Sequence, residues 1–433
     1  MLNNSSFSIK HNDFAYALIA SSYIGVAISY SDFYLFHFIL LIFSVFSAYI
    51  FKEDNFRLNI TILSKKYVIS LILFFSWYIL SLFWSPSIVY GLKYIFYIFC
   101  GLAVSLSFIY YSSNIINLNK IFFLLSVLVL IDIGISLLES FSMFRMPISS
   151  HSTISHLFGK DPVNFSNFDN IYFYSSLRPP TGFHWNTNDL AICMAISFPF
   201  FLCHKKNIVK ILGIFFISII VAMSASRAVF LALILIYFLY LFLIKKKIGT
   251  LLIIWVTSIS IFWGITQLGE SENPRINELA NSVEALKFYL NGDVDIGGSI
   301  EWRRELIENG FEAFTKTYGI GLGAGGSTVN QELIGPVAGR FTSMHNFWIE
   351  LLVEGGIFTA LIMTFWMIGL IYKLFLISKT TANKHIKYYS QSLFLSLSAF
   401  VPAAIAASST IYFFPMWIMF GFAISVILLS NTK

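Results

Sequence analysis

Apolar runs of about 18 or more residues recur along almost the whole chain, and a run of that length can cross about 30 Å of hydrocarbon as a helix. A backbone in lipid must satisfy its own amides and carbonyls, so only helices and closed barrels remain available. The runs are continuous rather than alternating, which selects helices. We count about twelve, at 13–30, 33–51, 67–84, 90–110, 119–140, 187–203, 207–224, 227–244, 248–266, 346–372, 388–406 and 409–429. The expected fold is therefore all-α: a polytopic integral membrane protein with about twelve transmembrane helices and a helical outer loop region. Composition agrees, with 57% hydrophobic and 12% charged residues and a mean hydropathy of +0.76. A soluble globular domain is excluded. The first run is weakly marked and lacks a small-residue cleavage pattern, so no cleavable signal peptide is expected.

Orientation follows from the lysines. With the N-terminus inside, Lys65 and Lys66, Lys205 and Lys206, Lys245 to Lys247, and Lys384 and Lys387 all fall on the inner side, as the positive-inside rule requires. Lys93 and Arg227 are the exceptions at short outer connections. The net charge of +6 thus reports topology, and no nucleic-acid partner is implied. The expected organisation is 1–140 with five spans, an outer loop at 141–186, four spans in 187–266, a larger outer loop at 267–345, and three spans in 346–433. Inner loops are short and no GxxxxGK[ST] phosphate loop occurs, so the chemistry is expected on the outer face. Cys100, Cys193 and Cys203 lie in separate spans, with spacing that suggests neither a disulfide framework nor a zinc site; they read as packing residues.

The larger outer loop contains two segments with helical apolar spacing, 276–290 and 299–314, followed by GIGLGAGG at 319–326, whose glycines permit a tight backbone of positive φ. In the second segment the two arginines separate by geometry. Arg304 has Glu301 at i−3 and Glu308 at i+4, and a surface ion pair accounts for it. Arg303 lies along the apolar face with no acidic neighbour and is left for an external anion. Arg227, in SASRAVF, opens a helix for which Ser226 or Ser224 is the candidate N-cap. It is either a snorkelling boundary arginine or part of an anion site built on a helix start.

Polar residues also gather at two other helix starts. RPPTGFHWNTNDLA carries Arg178, His184, Asn186 and Asn188 just before the span at 187. His345 and Asn346 open HNFWIELLVEGG. An imidazole titrates near neutral pH, which suits His345 to act as a general base. Glu350 and Glu354, four apart on that helix, are expected to face the protein interior and to orient polar groups beneath the site. Asp132, in mid-span, is expected to be paired inside the bundle. The DxD at Asp293 and Asp295 reads as solvated loop, because nucleotide-sugars are not expected outside the cytoplasm.

Taken in order, RPPTGFHWNTNDLA, SASRAVFLAL, the arginine helix with GIGLGAGG, and HNFWIELLVEGG resemble the O-antigen ligase/polymerase family of bacterial membrane glycosyltransferases. The likeness covers roughly residues 170–360. It implies a metal-independent enzyme without cofactors in the bacterial inner membrane, its active site on the periplasmic face. The donor would be an undecaprenyl-pyrophosphate-linked glycan. The acceptor would be a sugar hydroxyl of a lipid-linked repeat unit for a polymerase, or of lipid A core for a ligase. Membrane lipids and a chain-length regulator protein are the further partners it implies. On this resemblance Arg227, Arg303 and Arg178 hold the pyrophosphate and His345 is the catalytic base, with Asn346, Glu350, Glu354, Asn186 and Arg304 in support. The fuller first-loop motif favours the polymerase. A lipid-linked oligosaccharide flippase is the alternative from another class. A transporter, however, places polar groups near midplane, whereas here they gather at the boundary.

Overall fold

A computed structural model describes residues 11–53, 66–160, 179–224, 226–245, 299–337, 342–407 and 411–431. The helix at 276–290, the span at 248–266, the DxD and Arg178 lie outside the described residues. The described part is almost wholly helical. Five helices come first: α1 (His11–Ile24), α2 (Leu35–Glu53), α3 (Lys66–Leu80), α4 (Ile88–Tyr111) and α5 (Ile115–Ser140). A two-residue antiparallel hairpin, Ser29–Tyr30 with Phe33–Tyr34, joins the first two. Then come α6 (Thr187–Leu202), α7 (Asn207–Ser224) and α8 (Arg227–Leu239), the last continuing as a wider turn through Lys245. After the larger loop come α9 (Ser299–Lys316), α10 (Gly326–Ile334), α11 (Phe347–Thr380), α12 (Lys384–Ala403) and α13 (Phe414–Asn431). Among the described residues 7 helices are long and apolar enough to cross a membrane, and Asp13–Ala27, Leu35–Ser47 and Thr187–Leu202 are shorter apolar helices. This is an all-α polytopic membrane protein.

α12 runs through the middle of the bundle, packed against α6, α8 and α11. Its serine-rich face explains how. Ser396 Oγ donates to the Ile196 carbonyl at 2.6 Å and to Ser392 O at 2.9 Å; small hydroxyl residues let backbones approach and still satisfy their own polar atoms. α13 packs along α4. The Trp417 ring lies over Gly101, where any Cβ would sit 2.2 Å from it.

The largest departure from regular helix is inside α11. Gly356 has φ 73° and ψ −172°, so the helix breaks after Val353-Glu354-Gly355. The glycine loop at 319–326 fills that break. Leu322 N donates to Val353 O at 2.8 Å, Gly323 N to Glu354 O at 2.9 Å, and Ile357 N to Gly319 O at 3.0 Å. The carbonyls and amide freed by the break are thereby paired, which a lipid environment demands. Backbone meets backbone here: a Cβ on Gly321 would come within 2.5 Å of Glu354 O, and one on Gly356 within 2.2 Å of Ile320 O. The expected positive φ is present at Gly319, Gly321, Gly323 and Gly325. Trp77 and Trp84 fasten the seam by donating to Gly355 O at 2.8 Å and to Gly321 O at 3.1 Å.

Candidate functional site at the His345 end of the bundle

Three helices start where the sequence places polar residues, and the starts differ in what they leave open. At α11 the Asn346 side chain accepts from Trp348 N at 3.1 Å and Ile349 N at 3.3 Å. At α6 Asn186 Oδ1 accepts from Asp189 N at 2.9 Å, and its Nδ2 donates to Asp189 Oδ2 at 2.8 Å. Both asparagines are N-caps, and they occupy amides that an anion would otherwise meet. At α8 the expected serine cap is not made. Ser226 stands at the N-cap position without a side-chain cap bond, and its buried Oγ has no hydrogen-bond partner. Ser224 Oγ turns back instead to Val221 O at 2.7 Å. The first turn of α8, carrying Arg227, is therefore left uncapped by either serine.

The larger-loop helix α9 brings the next residues. Arg304 Nε binds Glu308 Oε1 at 2.7 Å, with both side chains about half exposed or more, at 47% and 61%. Arg303 turns the other way, towards the end of α12, where its Nη1 lies 3.5 Å from the Ile405 carbonyl. Burial, and then the nearby charge of Arg227, hold its guanidinium below the ordinary arginine range. Arg227 thus stands near enough for its charge to bear on Arg303.

His345 sits beside them. The following residues dock on the end of α12: Phe347 N donates to Ala404 O at 3.2 Å and Trp348 Nε1 to Val401 O at 2.9 Å. His345 itself takes φ 48°, a left-handed backbone uncommon outside glycine though more frequent in histidine. Such local strain often accompanies functional positions. Burial, and secondly the charge of Arg303, lower its pKa from 6.5 to about 4, so the imidazole is neutral and able to accept a proton near pH 7.

Beneath this group lie the two acids of α11, both buried. Glu350 Oε1 accepts from Tyr94 OH at 3.3 Å. Glu354 Oε1 accepts from Ser327 Oγ at 2.7 Å, at the start of α10 just after the glycine loop. The groups they accept from belong to α4 and α10.

Sequence reasoning missed the clamp on the first loop. Glu139, fully buried at the end of α5, accepts from Thr181 N and Gly182 N, each at 2.7 Å, and from Met146 N at 3.0 Å. Arg145 donates to Pro179 O at 2.8 Å. These contacts fix PTGFHWN against the bundle. An acid at the end of an apolar run, followed six residues later by an arginine, was the available signal. Asp132 is paired, as expected, with Tyr23, His184 and the Phe183 amide.

A model of the O-antigen ligase family matches residues 212–364, a stretch that holds Arg227, Arg303, His345, Glu350 and Glu354. Over 428 residues the chain is 23% identical to the teichuronic acid biosynthesis protein TuaE of Bacillus subtilis, covering 95% of this chain and 83% of that protein. The family model takes in the broken helix and the glycine loop that fills it, together with the helix starts of Arg227 and His345. With its all-helical membrane architecture, the chain is a multi-pass membrane protein that is similar to the O-antigen ligase family over residues 212–364.

Proposed function

We propose that this chain is a polymerase that transfers a glycan from undecaprenyl pyrophosphate to the sugar hydroxyl of a lipid-linked repeat unit, at the outer face of the bacterial inner membrane. One arrangement carries the reading: Arg303 reaches the end of α12 beside the Ile405 carbonyl, within electrostatic reach of Arg227 at the start of α8 and of the half-buried, neutral His345 before α11. Mutual repulsion between Arg227 and Arg303 is relieved by an anion such as the pyrophosphate, which guanidinium groups bind in bidentate fashion. Arg178 is a third candidate for the same anion.

His345 takes the proton from the acceptor hydroxyl as that oxygen attacks the anomeric carbon. The bond from the anomeric carbon to the pyrophosphate oxygen breaks, and undecaprenyl pyrophosphate leaves with the electron pair. Arg227 and Arg303 stabilise the charge that develops on it. One displacement inverts the anomeric carbon. Asn346 keeps His345 at the helix start, and Glu354 holds the glycine loop beneath it. No metal is called on in this scheme.

The test uses purified protein in liposomes, supplied with lipid-linked repeat units alone or together with lipid A core. Chain growth on repeat units alone, lost in His345→Ala at unchanged expression, is the expected result. Transfer only to core replaces the polymerase with a ligase. Lipid translocation without a new glycosidic bond overturns both.

A further inference from the structure

The buried cluster of Asp132, His184 and Cys193 lies outside the matched segment 212–364 and is not used by the chemistry above. Asp132 comes from the middle of α5, His184 from the loop before α6 and Cys193 from α6. All three are buried, at 0%, 6% and 0% exposure, and one ligand atom from each lies within 4.8 Å of the others. We propose that these three side chains, with Tyr23 of α1 beside them, form a structural site for a divalent transition-metal ion, best suited to zinc.

The spacing of the cluster is the first argument. His184 Nε2 stands 3.5 Å from Asp132 Oδ2, Tyr23 OH 3.3 Å from the same oxygen, and Cys193 Sγ 3.4 Å from Tyr23 OH. Good hydrogen bonds between nitrogen and oxygen are about 2.9 Å, and between oxygens about 2.7 Å. Tyr23 bonds to Asp132 and Cys193 to Tyr23, whereas the buried His184 Nε2, 3.5 Å from Asp132 Oδ2, makes no hydrogen bond. Around a tetrahedral ion with bonds of about 2.0–2.3 Å, neighbouring ligand atoms stand roughly 3.3–3.7 Å apart. The edge from His184 Nε2 to Asp132 Oδ2, at 3.5 Å, already has that length, and Cys193 Sγ lies within 4.8 Å of both of those residues' ligand atoms.

Charge and donor type agree. A carboxylate, a thiolate and a neutral imidazole around a dication sum to zero, the only affordable balance for full charges in an apolar interior. Mixed nitrogen, sulfur and oxygen donors favour zinc over magnesium or calcium. Binding releases the thiol proton of Cys193 and any proton that Asp132 holds on His184. The orienting contacts are also present. Phe183 N donates to Asp132 Oδ1 at 2.9 Å, fixing the carboxylate as hydrogen-bond partners of metal ligands do. Gly182 allows this approach, since a Cβ there would lie 2.1 Å from the same oxygen. With its ligands drawn from α5, α6 and the connecting loop, the ion would pin PTGFHWN to the bundle.

The probe is cobalt(II), added to tag-free, metal-stripped full-length protein in detergent, alongside elemental analysis of protein as purified. Expected are one equivalent of metal per chain and a thiolate-to-cobalt charge-transfer band. That band should be lost in Cys193→Ser and retained in Cys100→Ser and Cys203→Ser. Tyr23→Phe should weaken affinity roughly tenfold, as loss of an outer partner does. Zinc should raise the melting midpoint of the stripped wild type and leave that of Cys193→Ser unmoved, a readout that also reports whether the variant is folded. Absence of a thiolate band in folded wild type, or a band that survives Cys193→Ser, overturns the proposal. Neither result bears on His345.

Discussion

Lowering the pH tests the role assigned to His345 most directly. Burial and the charge of Arg303 take its pKa from 6.5 to about 4, a bias of roughly 3 kcal/mol against imidazolium. A general base works only when unprotonated, so activity is lost as pH falls through this value. In kcat/KM, which reports the free enzyme, the acid limb should lie near 4. At pH about 5.5 an ordinary histidine would retain about a tenth of its basic form, whereas this one should remain near its plateau. The bound complex should behave differently. An anionic pyrophosphate offsets Arg303, so the limb in kcat should lie at higher pH than the limb in kcat/KM. Arg303→Gln removes the charged contributor while leaving burial in place. It should slow the reaction and also move the kcat/KM limb upward, towards 6.5. The assay is the initial rate of chain extension by purified protein at subsaturating and saturating lipid-linked repeat units, with activity rechecked after return to neutral pH. A wild-type kcat/KM limb at the ordinary imidazole value, unmoved by Arg303→Gln, would refute the reasoning.

Three further outcomes are expected. Arg303→Ala should lower turnover about a hundredfold or more, as loss of a charge-stabilising donor does. Arg304→Ala, which removes an exposed pair with Glu308, should change stability by less than about 1 kcal/mol and leave turnover near wild type; equal losses in the two variants would contradict the assignment. Gly356→Ala should cost about 2–4 kcal/mol and lower the melting midpoint in detergent, because φ 73° is strained for alanine and Ile320 O stands in the way. Gly134→Ala, with nothing within 4 Å of its Cβ, is the control and should be neutral or slightly stabilising. Asn346→Ala should cost about 1 kcal/mol through the lost N-cap, and Asn346→Asp should recover most of it; no recovery would mean that the amide does something other than cap α11.

Much of the site was legible before any fold was known, wherever the physics is local. Helical periodicity alone separates Arg303 from Arg304, since the i+4 partner of Arg304 is in the sequence and Arg303 has none. The glycines at 319, 321, 323 and 325 announce positive φ because few other residues tolerate it. The caps at Asn186 and Asn346 follow from residue type at a helix start. Where a choice depended on neighbours from elsewhere in the chain, the same reasoning failed. Ser226 has the right type and position to cap α8 and does not do so. Glu139 read as the end of a span, and is the acceptor that organises the loop around Thr181 and Gly182.

Hydropathy and lysine placement are enough to make this chain an all-helical membrane bundle with polar residues gathered at one end, because a backbone in lipid has to satisfy itself within each segment. Pairings between segments follow no such local rule. The glycine loop filling the break in α11, the left-handed turn at His345, and the meeting of Asp132, His184 and Cys193 all join residues distant in sequence. Each depends on how the helices pack, and packing is set by shape complementarity that no window along the sequence contains.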